Sequence, residues 1–551
     1  MRKRNQRLKR ILCFGIWIVY SLLLSRGSAQ PAEENTASFG DQMVFGVISE
    51  RDFELNPFQI KSPLEEEIIQ MIFGYGLTKR ADKVLNPQSL IERSIASRDN
   101  RVWRMTLERN INFHNGSNLR NVDVQFTFEL LKKYGGCNLN RQLDFSNLKS
   151  VSGNGDLEVV FELHEPDKEF GNKLADIPII SSVYYAPAME KGYAVFRQQR
   201  PMGMGPFRFE TRREDTIMLS YSPFYYKGRP FLDRVKISFF PDEQTLIDAL
   251  VIGEVDYLEL PDLNMARSLV DLLGTRMAVF GIPRTEIKFS SLLFNLNRFP
   301  LSEPEVREAV YRSINRRQIV ERYLKDTGSL ANTILKESNP YYERSLYGDD
   351  YNPEEALALL RRNGWRLNSQ NLLQKNGRPL TFKLYFSRNS ELETEIARAI
   401  TIDLAELHIN VQPEPVLLRD KPGLIAESDY QTMLYAYSYD PQYIPEAIEE
   451  FYGKVLGATQ KVPNYQNYYI TDLLELIKAK RSLQKNLYKR FQTFIREDMP
   501  AVFLYFDDRI IVGLDKRFQD SRATFKDQDY FYYRMNPIEN WFVPREKQKY
   551  P

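Results

Sequence analysis

Cysteine and histidine are almost missing from this chain, whose 551 residues hold two of the former and three of the latter. Cys13 lies inside an apolar leader and lacks the small residues that a lipidated cysteine needs before it, which leaves Cys137 as the one thiol beyond that leader. No internal disulfide can form there, and a chain this long builds a sufficient core without one. His114, His164 and His408 sit on separate segments with no cysteine nearby, which argues against a zinc site, and His114 reads as structural. A G-x-S-x-G elbow is absent, as is a complete phosphate-cradling glycine loop, since "GYG" and "GMG" carry only fragments of that pattern. With no nucleophile and base in view, the sequence predicts no catalysis, no cofactor and no bound metal.

A surplus of one charge is missing too, because 75 Lys and Arg face 73 Asp and Glu, a net +2. The leader accounts for more than that balance. "MRKRNQRLKR" is basic, Ile11 to Leu24 is free of charge, and Gly27, Ser28 and Ala29 supply the small residues of a cleavage site after Ala29. Residues 1–29 therefore read as a signal peptide and the protein as exported to the periplasm. The competing reading, an uncleaved anchor, needs roughly 20 apolar residues, more than this stretch offers. Removing the leader takes away Arg2, Lys3, Arg4, Arg7, Lys9, Arg10 and Arg26, so the net charge becomes +2 − 7 = −5. A mildly acidic chain lacks the positive surplus that phosphate-backbone binding requires, which argues against nucleic acid as a partner.

Aromatics, at 13%, are plentiful. "LYAYSYDPQY", Leu434 to Tyr443, sets Tyr435, Tyr437 and Tyr439 on one face by the period of two of a strand and ends in Asp440. Upstream, Leu380, Phe382, Leu384 and Phe386 predict a strand, Glu391 opens a helix of about 16 residues, and "INVQPEPV" is a second strand. That is a crossover unit of a parallel sheet. Ligands of open α/β sheets sit beyond the carboxyl ends of the strands, which predicts that Tyr437, Tyr439 and Asp440 border a cleft. For Tyr435 the same pattern fits core packing equally well.

Elsewhere "QMVFGVISE" reads as a buried strand, and "SPLEEEIIQMIFGYGL" as a helix with Ser62 as cap and Glu65 completing a capping box. "RVWRMTLERNINF" and "DLEVVFELHEP" alternate like solvated antiparallel strands around a helix from Val122 to about Lys133. Ser302 with Glu305 predicts another capping box, Asn315 restarts a helix, and Asn352 with Pro353 caps "NPEEALALLRRNGW".

Six segments together resemble a known family. "VWRMTLERNINFHNGSNLRNVDVQFTFELL", "GMGPFRF", "YSPFYYKGRPFLDRVKISFF", "ALVIGEVDY", "FNLNRFPLSEPEVREAVYRSINRRQIV" and "NPEEALALLRRNGW" follow, in order, the signatures of family 5 extracellular solute-binding proteins, the dipeptide and oligopeptide receptors of ABC importers. The resemblance implies an α/β fold, a bilobal type II periplasmic-binding-protein clamp with two crossovers. Lobe I would comprise 38–72, 203–295 and 518–551, with 73–202 inserted as an α+β subdomain, and lobe II would comprise 296–517. It implies a monomer that delivers a peptide or other polar organic solute to ABC transporter permease subunits. Two family acids are replaced, by Asn115 and Tyr437, and a phenol offers only a neutral hydrogen bond where a buried ammonium needs a paired charge. The expected cleft residues are thus Tyr435, Tyr437, Tyr439 and Asp440, with Met204 flanking a glycine and Asn295 near a passage between lobes. An exported enzyme or a decayed interaction protein on the same clamp are the rival readings.

Overall fold

The computed structural model describes residues 37–48, 54–60, 63–74, 76–78, 90–138, 141–143, 145–168, 170–175, 177–260, 263–284, 286–348, 350–441, 444–455, 468–479, 484–521 and 538–550. The leader and the Ser62 cap lie outside these residues. Two mixed sheets organise the chain. The first has seven strands, in the spatial order Met277–Pro283, Arg509–Asp515, Tyr257–Leu260, Gln42–Ile48, Arg234–Phe240, Thr216–Tyr221 and Phe207–Arg212. The second has six, in the order Gly328–Leu330, Ala501–Asp507, Ile287–Phe294, Thr432–Tyr439, Thr381–Ser387 and Asn410–Val416.

The local signals explain much of this. Thr381–Ser387 and Asn410–Val416 pair in parallel, joined by the helix Glu391–Ala405, as the crossover pattern requires. Asn315 and Asn352 cap their helices, accepting from the backbone N–H of Gln318 at 3.0 Å and of Glu355 at 2.9 Å. At Pro304–Ser313 the expected cap shifts by one residue: Glu303 holds the N-cap position, without a side-chain cap bond, and not Ser302. The helix needs only Pro304 in its first turn to start there, because proline's fixed φ suits that place and its missing N–H is no loss.

Apolar packing decides how the units join. A four-stranded sheet, Ile91–Ala96, Val102–Leu107, Leu148–Asn154 and Glu158–Leu163, belongs to the expected insertion. Its core residues Met105, Phe128 and Phe161 are continuous with Phe45, Ile72 and Phe207 of the first lobe, so the insertion shares one core with that lobe. The "GMG" turn makes the join. A side chain at Gly203 would meet Phe73 Cα at 2.3 Å, and one at Gly205 would meet Met71 O at 2.3 Å. Only glycine lets the turn lie against the end of the helix Pro63–Phe73. The second sheet is covered on both faces, by a cluster containing Leu292, Leu384 and Leu434 on one and by a cluster containing Phe289, Met433 and Phe451 on the other.

The sheets also relocate the expected borders. Ile287–Phe294 pairs with Thr432–Tyr439 in the second sheet, and Arg509–Asp515 pairs with Met277–Pro283 in the first. The chain therefore changes sheets between Pro283 and Ile287 and between Asp507 and Arg509, and not at 295/296 and 517/518. Each passage comes nine residues earlier than the sequence reading drew it (296 − 287 and 518 − 509). Motif borders marked the "FNLN" segment as a boundary, whereas ladder hydrogen bonds place it within a strand.

Candidate functional site

Strand polarity locates a cleft. In the first sheet Gln42–Ile48 runs parallel to Arg234–Phe240 and to Tyr257–Leu260, so Ile48, Phe240 and Leu260 end on one side. In the second, Thr381–Ser387 is parallel to both Asn410–Val416 and Thr432–Tyr439, so Ser387, Val416 and Tyr439 end together. Register ties these ends to the passages between sheets, because Tyr439 lies opposite Ile287, Pro283 opposite Arg509, and Leu260 opposite Ile511. Both sets of carboxyl ends thus face the region where the chain crosses, which is where ligands of such sheets bind.

The tyrosine rings do not line that region. Met433, Tyr435, Tyr437 and Tyr439 share a face, as the alternation demanded, but it is the face packed against the Phe289 and Phe451 cluster. Tyr437 and Tyr439 are each 3% exposed. The Tyr437 ring centroid is 5.7 Å from that of Phe289 and 5.3 Å from that of Phe451, and its hydroxyl reaches Ala447 O and Glu450 Oε2 only at 3.4 and 3.5 Å. The Tyr439 hydroxyl donates to Ile334 O at 2.7 Å. Tyr435 is half-buried at the edge of the same cluster, and burial, aided by the charge of Glu450, pushes its phenol up to about 12. Asp440 follows Tyr439 at the strand end and is half-buried. Of the predicted group, Tyr435 and Asp440 are half-buried, and Asp440 directly follows the carboxyl end of its strand.

Met204 and Asn295 are likewise interior. Met204 is 1% exposed within the first-lobe core, beside Gly74. Asn295, fully buried, donates through Nδ2 to Ser428 O at 3.0 Å and Tyr430 O at 2.8 Å. It ties down the far end of Ile287–Phe294, away from the crossings. His114 is a core histidine: its Nε2 lies 3.0 Å from Gly205 O, and burial pulls its ring down to about 4, so it is neutral at pH 7.

The opposite face is covered over Thr432 and Leu434 but open toward the carboxyl end of the strand. Ala436 is exposed and Ser438 half-buried, and across the ladder they oppose Ser290 and Lys288. Covering on that side ends at Lys421, whose ammonium is held by Glu393 Oε2 at 2.6 Å and Leu434 O at 2.9 Å. Beyond it lies a charged group that the sequence reading did not single out. Arg284 Nη2 is 2.8 Å from Asp507 Oδ2, Arg284 Nη1 is 3.0 Å from Glu286 Oε1, and Lys288 Nζ is 3.0 Å from Asp507 Oδ2. Burial pushes the Asp507 carboxyl up, but Lys288 and Arg284 more than reverse this and hold it below the ordinary range. The signal was the charge run at two strand junctions, "PRTEIK" and "FDDR", which only pairing across 223 residues of sequence brings together.

A groove of about 730 Å³ lies elsewhere, lined by Gln42, His114, Arg208, Tyr221 and Arg234 among others. Gln42 and Arg234 are the first residues of their parallel strands, so this groove is at the amino ends, opposite the cleft. Among the described residues, no group of three or more His, Cys, Asp or Glu could hold a metal ion, and no helix is long and apolar enough to cross a membrane.

Comparison with known proteins bears on the fold and the family. The oligopeptide-binding protein AppA of Bacillus subtilis is 24% identical over 532 residues, 91% of this chain and 94% of its own length. The peptide transport periplasmic protein SapA of Salmonella typhimurium is 24% identical over 454 residues, covering 78% of this chain and 80% of its own. The solved structure of AppA with a nonapeptide superposes with a TM-score of 0.71 at 21% identity, over 92% of this chain and 99% of that one. NikZ from Campylobacter jejuni, in complex with Ni(L-His), gives 0.73 at 18% identity, over 91% and 99%. The fold is the two-lobed type II periplasmic-binding-protein clamp. The model of the bacterial extracellular solute-binding proteins, family 5 (Middle), matches residues 88–457, most of the chain, and the chain belongs to that family.

Proposed function

We propose that this protein is an exported receptor that captures a peptide-like or other polar organic solute between its lobes and delivers it to the permease subunits of an ABC importer. The observation that carries the reading is the family match over 88–457 on a fold whose two sheets turn their carboxyl ends toward the crossings. Relatives named for peptides and for nickel share this scaffold, so the scaffold leaves the solute open and the wall residues select it. Ligand touching both lobes would stabilise the closed clamp, and nothing in that cycle needs covalent chemistry.

For the wall of the second lobe we take the open end of the opposite face of Thr432–Tyr439, with Ala436 and Ser438 flanked by Lys288 and Asp440, in place of the tyrosine face. Small and polar side chains there leave room for a guest and offer a few directed hydrogen bonds. The mildly acidic charge beyond the leader, −5, supports a partner other than nucleic acid. We take the protein to act as a monomer in the periplasm.

Mass spectrometry of solute carried through purification, followed by thermal shift against a peptide and small-solute library, tests this. A compound that raises the melting temperature and is recovered intact supports the receptor. Turnover of such a compound would overturn it in favour of an exported enzyme, and the absence of any stabilising solute would favour a clamp that has lost its guest.

A further inference from the structure

The chain crosses between the lobes twice, and the charged residues at the two crossings are bonded to each other. We propose that Asp507 is a pin that locks the two crossings together, so that the lobes open and close about one axis and do not twist or slide independently.

The geometry is specific. Arg284 and Lys288 flank the first crossing, and Asp507 ends the last strand before the second. Asp507 Oδ2 receives both cations, at 2.8 and 3.0 Å, while Glu286 takes the other arm of Arg284 at 3.0 Å. The side chains of Arg284, Glu286 and Asp507 are 10, 4 and 20% exposed, so the Arg284 pairs are largely shielded from water and salt, whereas Lys288, 34% exposed, is less so. The backbone repeats the connection. Arg284 N–H donates to Asp508 O at 3.1 Å, and Arg509 Nη1 donates to Gly281 O at 3.2 Å. Asp508, the single residue between the two sheets on this side, is in turn held by Lys336 and donates its N–H to Thr327 O at 2.8 Å. Three cations (Arg284, Lys288, Lys336) thus meet three carboxylates (Glu286, Asp507, Asp508) at the bend.

A hinge concentrates its φ/ψ change in a few residues at element ends. Two unlinked crossings would give the lobes several soft modes, of which only one closes the cleft. A shielded pair between the crossings adds little net stability over apolar groups of the same shape, but Asp507 Oδ2, shared by Arg284 and Lys288, fixes their geometry. That is the property a clamp requires of its hinge. The proposal rests on the two-lobed fold and holds whichever solute is bound.

The test is double electron–electron resonance on the full chain, with Cys13 and Cys137 replaced by serine and nitroxides placed at exposed Arg213 in the first lobe and exposed Arg362 in the second. The parent should give one narrow interlobe distance. Asp507→Asn should broaden that distribution roughly twofold, the signature of added hinge modes. Asp507→Asn is also expected to lower the melting temperature, because Arg284 loses its partner. The triple variant Arg284→Met, Glu286→Gln and Asp507→Leu, which removes the buried cation together with both of its carboxylates, separates the two effects: it should recover part of the lost melting temperature while the distribution stays broad. Unchanged distributions in both variants would overturn the proposal, as would a triple variant that recovers a narrow distribution, because shape and not the charge pair would then fix the hinge.

Discussion

Replacing Tyr437 with alanine separates the two faces of the Thr432–Tyr439 strand. The ring is 3% exposed and within 6 Å, centroid to centroid, of Phe289 and Phe451, so its removal leaves a cavity in the second-lobe core. Truncating a buried aromatic costs about 3–5 kcal/mol. Tyr437→Phe keeps the ring and removes only the hydroxyl, so it should cost about 0.5–1.5 kcal/mol, less than the alanine. One residue earlier, Ala436 is exposed, so Ala436→Trp should change stability by no more than about 0.5 kcal/mol while filling the proposed cleft wall. Urea unfolding of the three variants, followed by circular dichroism, measures the costs, and solute binding is scored on the same samples. A cost below about 1 kcal/mol for Tyr437→Ala, with several for Ala436→Trp, would refute the reasoning, because a one-residue slip in register exchanges every side chain between faces.

Further outcomes follow from other sites. His114 is neutral in the fold at about 4 but takes up a proton near 6.5 when unfolded, so stability is full above pH 6.5 and falls as pH drops toward 4. The loss amounts to about 3 kcal/mol, and the pH dependence of the urea midpoint should flatten in His114→Asn. Buried Arg517 is held by Asp41 and, at 2.9 Å, by Asp256, which also accepts from Lys549 at 3.0 Å. Asp256→Ala leaves Arg517 its Asp41 partner but removes a buried carboxylate that also accepts from Val44 N–H, and should cost about 1–3 kcal/mol, whereas Glu165→Ala, which removes an exposed partner of Arg101, should cost less than about 1 in the same unfolding assay. Gly203→Ala would drive a methyl onto Phe73 Cα and Ile72 O, backbone that cannot step aside, and should lose about 1–3 kcal/mol or more in a thermal melt. Gly348→Ala, with nothing within 4 Å, should melt like the parent.

Features that depend on neighbours in sequence were determined by the sequence itself. Asn315, Asn352 and Pro353 start helices because a side-chain oxygen or a fixed φ satisfies the first turn locally. The strand–helix–strand run from Thr381 to Val416 declared a parallel pair because its connection is too long for a hairpin. The ordered motifs named the family. What the tertiary structure alone decided was which side of a strand is covered and where the chain changes sheets. Alternation along 433–439 defines two faces but is silent on which receives the helices, and Tyr437 went to the core because Phe289, Phe451 and Phe503 arrive there from distant segments. The crossing at 508 is likewise fixed by pairing with residues more than 200 positions away. Covalent order sets local geometry, whereas burial is a property of surfaces that meet only once the chain has folded.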